Sequence, residues 1–106
     1  MDADGYPEEH ELVQIAAWPH DDWDGLLVYV ADLWRWPEFG WHEYKDRDGA
    51  RVFALSTGGW SGNEDLIAAM QENRIFWMMN WKVTRSGGHY LLRVRELERD
   101  PDPFVK

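Results

Sequence analysis

Apolar residues recur along this chain in two periods. Leu12, Ile15 and Ala16 follow Pro7-Glu8-Glu9 at helical spacing. Proline in a first helical turn forfeits no hydrogen bond, and acids there meet the positive end of the helix dipole. The pattern predicts a helix over residues 8–18, although Leu12 to Ala17 would also serve as a short strand, and Trp18-Pro19 ends either one. A second stripe, Leu26, Leu27, Val30, Leu33 and Trp34, lies behind Asp21, Asp22 and Asp24, any of which can cap a helix. That helix runs to about Trp34 and is stopped by Trp36-Pro37, with a buried strand through Val28-Tyr29-Val30 as the competing assignment.

The period then shortens to two. β-forming residues from Phe39 to Lys45 and from Ala50 to Ser56 flank Asp46-Arg47-Asp48-Gly49, a hairpin signal. A two-residue loop pairs Tyr44 with Phe53 and His42 with Leu55, whereas a three-residue loop pairs Trp41 with Leu55; the pattern leaves both open. After the turn Ser56 to Gly62, Leu66, Ile67 and Met70 form a helical stripe, with Ser61 or Asn63 as cap and Asn73 as end. Ile75, Trp77, Met79, Trp81 and Val83 then alternate as the core face of a strand. A two-residue Gly87-Gly88 loop returns the chain with Val83 opposite Leu92 and Trp81 opposite Val94. A three-residue loop is rejected, because it sets Trp81 against Arg93. The opposite face carries Asn80, Lys82, Arg93 and Arg95, with Phe76 and Met78 nearer one end, and is half basic.

These elements predict one α+β domain over residues 1–106. An antiparallel sheet of about four strands, two hairpins flanking a helix in ββαββ order, is covered on one face by the N-terminal helical segments. Residues 1–6 and 100–106 are expected as loose ends, the latter holding Asp100-Pro101-Asp102-Pro103.

Charge narrows the partners. Residues 1–48 hold 13 acids against Arg35, Lys45 and Arg47, while residues 49–106 hold 7 acids against 8 bases. An acidic chain lacks the basic footprint that nucleic acid demands, and no apolar run approaches a membrane span. The N-terminal stretch is acidic where a signal peptide is basic, and the chain has no cysteine, which fits a reducing cytoplasm and excludes disulfides and thiolate chemistry.

Chemical motifs are sparse. Ser56 to Asn63 is glycine-rich and opens a helix, but no lysine follows the glycines, and Glu64 and Asp65 would repel a phosphate. Gly59-Trp60-Ser61-Gly62 departs from a nucleophile elbow at Asn63. Ser61, His42 and His89 are therefore weak catalytic candidates, with a cross-hairpin hydrogen bond as the plainer role for His89. His20, Asp21, Asp22 and Asp24 match neither a calcium loop nor a zinc site, so neither metal nor cofactor is expected. Eight tryptophans exceed what one small core readily buries. Trp60, Trp36, Trp41 and Trp23, at turns and element ends, are the candidate binding residues, tryptophan being enriched in binding hot spots.

The STGGWSGNE turn, the FW and W that follow and the GGHY turn together resemble a pattern in small actinobacterial and phage proteins. That resemblance implies no activity, cofactor or catalytic residue. The leading expectation is a cytoplasmic, non-enzymatic module that binds or inhibits another protein, as in phage–host interaction. The alternatives are a small-molecule binder or hydrolase with a site at Gly58–Asn63 and, ranked lower, a nucleic-acid mimic. Charge complementarity also permits self-association.

Overall fold

The computed structural model describes residues 1–94. Five helices, α1 (Glu9–Ala16), α2 (Trp23–Leu33), α3 (Pro37–Gly40), α4 (Ser61–Glu72) and α5 (Arg74–Asn80), accompany four strands, β1 (Trp41–Lys45), β2 (Arg51–Ser56), β3 (Trp81–Arg85) and β4 (His89–Val94). The strands form one antiparallel sheet in the order β1-β2-β4-β3, so the two hairpins join through β2 and β4. The α+β class and the two-hairpin sheet are as expected. The predicted tail at Asp100–Pro103, and Arg95 of the basic face, lie outside the described residues.

The N-terminal segments are helical, which removes both strand alternatives. Asp22 caps α2, its Oδ1 accepting from Gly25 N at 3.0 Å. Ile15 of α1 and Leu26, Leu27 and Val30 of α2 meet Leu66, Ile67 and Met70 of α4 in one core against Phe53, Leu55, Leu92 and Val94 of the sheet. In α1, burial pushes the Glu11 carboxyl up, but the N–H of Glu8 at 2.8 Å and the amino group of Met1 at 2.7 Å outweigh it and hold it below its usual range. Residues 1–6, expected as a loose leader, are thus tied at Met1, and Tyr6 stacks on Trp60 with ring centroids 4.7 Å apart.

The first hairpin takes the three-residue alternative. Trp41 faces Leu55, Lys45 faces Arg51, and Asp46 N donates to Ala50 O across Arg47-Asp48-Gly49. Asp46 closes this loop: its Oδ1 accepts from Asp48 N at 2.9 Å and Ala50 N at 3.0 Å, and its Oδ2 accepts from Arg93 Nε at 2.7 Å.

Two expectations for the second half fail for identifiable reasons. The stretch Ile75–Asn80 is a helix. Asn73 caps it by accepting from Phe76 N at 3.3 Å while its Nδ2 donates to Ile15 O and Trp18 O, carbonyls at and just past the end of α1. Asn73 does end α4, but at φ −80° rather than in the left-handed conformation. Asn73, Phe76 and Asn80, spaced by three and four, are the buried positions. Ile75 and Met79, assigned to the core by strand alternation, are 44% and 56% exposed. Phe76 and Asn80 accordingly leave the predicted basic face, Phe76 packing on Trp23 and Asn80 donating to Phe76 O. β3 therefore starts only at Trp81, and its loop is the rejected three-residue Ser86-Gly87-Gly88, with Arg85 opposite His89. An irregularity between Trp81 and Val83 sets Trp81 opposite Leu92, so the clash with Arg93 that argued against this loop never arises.

The glycine turns meet each other. Thr57 N donates to Gly88 O at 3.0 Å, and a Cβ on Gly88 (φ +81°) would stand 2.3 Å from Thr57 Oγ1. Gly59 has a similar φ of +78°, with nothing within 4 Å of its would-be Cβ. Gly88→Ala is therefore expected to destabilise clearly more than Gly59→Ala, which bears only the left-handed backbone cost of about 1–2 kcal/mol. Chemical unfolding of both variants checks the difference.

A second prediction concerns pH. The Arg93 guanidinium, joined by the N–H groups of Ala50 and Asp48, holds the Asp46 carboxyl below its usual range against an opposing push from burial. Its stabilising contribution is complete above a pH of about 4 and is lost as pH falls through the lowered value. Asp46→Asn should melt lower than the parent at pH 7 and lose less on acidification to pH 3, as thermal unfolding across that range will show.

Candidate functional site

The chain leaves α2 through Trp34-Arg35-Trp36 and enters α3 at Pro37, where proline serves as a first helical residue. Trp36 takes φ 59°, ψ 53°, the one non-glycine residue with positive φ among those described. A bulky side chain in that region is strained by about 1–3 kcal/mol, so the surroundings must impose it. Asn63 supplies the restraint. It is buried in the first turn of α4, and its Oδ1 accepts from Arg35 N at 2.9 Å while its Nδ2 donates to Arg35 O at 3.1 Å and Thr57 O at 3.2 Å. Neither Ser61 nor Asn63 caps α4, as had been expected: the cap position is Trp60, whose carbonyl accepts from Glu64 N, and Asn63 is occupied in tying two loops together.

Backbone fixation at Arg35 assembles an aromatic cluster. The Arg35 guanidinium carbon lies 4.8 Å from the Trp36 ring centroid and 4.6 Å from that of Trp60, with the two indoles inclined at 61°. Tyr6 adds its ring to Trp60. Trp60 in turn packs against Gly62, where a Cβ would come within 2.3 Å of its ring atoms, so glycine at 62 is a packing requirement. Trp36 is 47% exposed and Tyr6 37%. The result is a tyrosine, two tryptophans and an arginine, partly open to solvent and backed by a hydrogen-bonded frame.

The predicted binding residues thus divide. Trp36 and Trp60 come together. Trp23 and Trp41 belong to the core: Trp23 is 6% exposed and edge-on to Phe76, and Trp41 packs against Trp34 and Phe53. Arg35 and Tyr6 were not singled out from sequence. The WRW run was a usable signal for Arg35, since an arginine between two tryptophans is placed to stack, whereas Tyr6 carried no signal.

The catalytic candidates do not form one set. Ser61 is exposed at the start of α4. The strand register puts His42 and His89 on the sheet face away from the helices, on β1 and β4, two strands apart. His42 Nε2 is 3.2 Å from Phe39 O, and His89 Nδ1 is 2.7 Å from Ser56 Oγ. The hydrogen bond of His89 therefore runs to β2, the neighbouring strand on the other side of β4 from its hairpin partner. Ser56 and His89 make a serine–histidine contact that sequence reading did not find, but among the described residues no carboxylate orients the imidazole. A groove of about 680 Å³ lies at the far end of the sheet, lined by Trp23, Asn80, Trp81, Lys82 and the Arg93–Asp46 pair, away from Gly58–Asn63. Among the described residues no three histidine or acidic side chains are grouped to hold a metal, and no helix is long and apolar enough to cross a membrane.

Comparison with known protein families, with curated proteins and with solved structures gave no match.

Asn63→Ala removes three hydrogen bonds and strands Arg35 N–H and two carbonyls in a setting that is buried at Thr57 and partly buried at Arg35, at a cost of about 1–3 kcal/mol for a buried group left unpaired. Loss of roughly 3 kcal/mol in urea unfolding is expected, together with weakened burial of Trp60 read from its fluorescence.

Proposed function

We propose that this chain is a non-enzymatic module that binds another polypeptide through Tyr6, Arg35, Trp36 and Trp60. The observation that carries the reading is Trp36: a half-exposed indole held in a strained backbone conformation, beside an arginine and a second tryptophan, on a frame built by Asn63. Strain of this kind persists where the surroundings over-determine it, and it is concentrated at ligand-binding positions. The cluster consists of the three residue types most enriched in interface hot spots. Rigid aromatic anchors lose little conformational freedom on binding, which favours affinity from a small contact area.

Charge adds a preference. The excess of acids in the first half of the chain steers basic surfaces toward it and repels nucleic acid. The lack of cysteine supports a role in a reducing cytoplasm.

Trp36→Gly separates binding from folding, because glycine adopts positive φ without strain and the relief of about 1 kcal/mol offsets a lost cation–π contact of similar size. Peptides selected from a random display library on the immobilised protein should lose at least about tenfold in affinity for Trp36→Gly, a change of about 1.4 kcal/mol. The variant's melting temperature should stay within a few degrees of the parent. Selection that returns no peptides dependent on Trp36 overturns the reading.

A further inference from the structure

The Arg35 side chain is held in an unusual way. Its backbone N–H and C=O are both taken by Asn63, and its guanidinium is flanked by the Trp36 and Trp60 rings. Yet its nitrogens make no hydrogen bond and no ion pair among the described residues. Nor are they fully buried: among the described residues, the one fully buried side-chain polar atom lacking a partner is Trp34 Nε1. Of the arginines in the strands, Arg51 pairs with Asp24 and Glu43 and Arg93 with Asp46 and Asp48, whereas Arg85 lies exposed at the end of β3 with no aromatic neighbour to hold it among the described residues. Seen from the guanidinium carbon the two ring centroids, 6.5 Å apart, stand at about a right angle, so Arg35 combines a guanidinium held in an aromatic corner with an N–H edge free of partners among the described residues.

We infer that this edge is a seat for a carboxylate of the bound polypeptide, taken as a paired N–H···O contact by the Arg35 fork while flanking apolar groups of the partner rest on Tyr6, Trp36 and Trp60. A guanidinium is planar and matches a carboxylate bidentately, and stacking on aromatic rings fixes its plane without using its donors. Restraint before binding removes much of the side-chain entropy loss that weakens exposed ion pairs. The acids in the first half of the chain oppose a broadly acidic partner, so the carboxylate belongs to a segment that also carries basic residues. Lysine at this position would keep the charge and lose the fork.

The inference rests on the docking surface proposed above, and its test is separable from that reading. The probes are the peptide Ac-Lys-Phe-Glu-Phe-Lys-NH₂, its glutamine counterpart, and phenylacetate as a free small carboxylate. Each is titrated into the ¹⁵N-labelled protein at physiological salt while the Arg35 Nε–H and the Trp36 and Trp60 indole N–H resonances are followed. The glutamate peptide should bind about tenfold tighter than the glutamine peptide, as expected for a charge-assisted paired contact, and should move the Arg35 resonance. That advantage should vanish in Arg35→Lys, with the tryptophan resonances still responding. Equal affinities in the parent, an advantage that survives in Arg35→Lys, or no saturable shift of Arg35 with any probe would overturn the carboxylate seat. Phenylacetate binding as tightly as the glutamate peptide would overturn its assignment to a polypeptide. If Trp36-dependent peptides emerge from display while the glutamate advantage is absent, the seat falls and the docking surface stands. If no such peptides emerge, the docking surface itself falls.

Discussion

The contact between the two glycine turns organises the molecule. Thr57 N–H to Gly88 O joins the end of β2 to the start of β4, and Ser56 opposite His89 is the first rung of the central ladder that follows. Each hairpin alone would be marginal, since two strands give little apolar face to bury. Joined through β2 and β4, they present Phe53, Leu55, Leu92 and Val94 as one surface for the helices. The same turn fixes the start of α4 and with it Asn63, which reaches from Thr57 to Arg35. One close approach of backbone to backbone therefore sets the sheet order, a helix start and the position of the aromatic cluster.

Electrostatics bind the two halves of the chain. The acid-rich first half obtains cations from the second, with Arg51 serving Asp24 and Glu43 while Arg93 serves Asp46 and Asp48. Four of the thirteen acids of residues 1–48 are consumed this way, so the charge asymmetry seen along the sequence is partly an internal pairing. This weighs against a continuous acidic surface imitating nucleic acid, and it neutralises Arg93 on the basic face that sequence alternation had drawn.

Several elements were legible in the sequence: α4 from its apolar stripe, α2 from a stripe that outweighed the β-prone Val28-Tyr29-Val30 inside it, and both hairpins from their glycine turns. What failed was local pattern overruled by distant partners. Ile75 to Trp81 alternates like a strand, but Asn73 holds the end of α1 and the start of α5 at once, and Phe76 finds its place against Trp23. No short-range signal encodes a contact between residues 15 and 73. The register of the second hairpin was missed because an irregularity between Trp81 and Val83 lets a three-residue loop set Trp81 opposite Leu92 and Val83 opposite Leu91, a different pairing that still keeps Trp81 off Arg93. At the candidate site, Trp36 and Trp60 were visible as tryptophans with no evident place in the core. Arg35 and Tyr6 were hidden because their roles arise from a loop held by Asn63, a residue that sequence logic assigns to helix capping.

Rigidity of the aromatic cluster before any partner arrives is decisive, since preorganisation by Asn63 and the glycine turns is what separates a binding surface from an adventitious patch of tryptophans. The direct measurement is ¹⁵N relaxation of the Arg35 Nε–H and the Trp36 and Trp60 indole N–H groups in the free protein. Order parameters near those of the rigid backbone, about 0.8 or higher, are what the structure predicts. Values below about 0.6 at Arg35 and Trp36, with a rigid backbone around them, would contradict it.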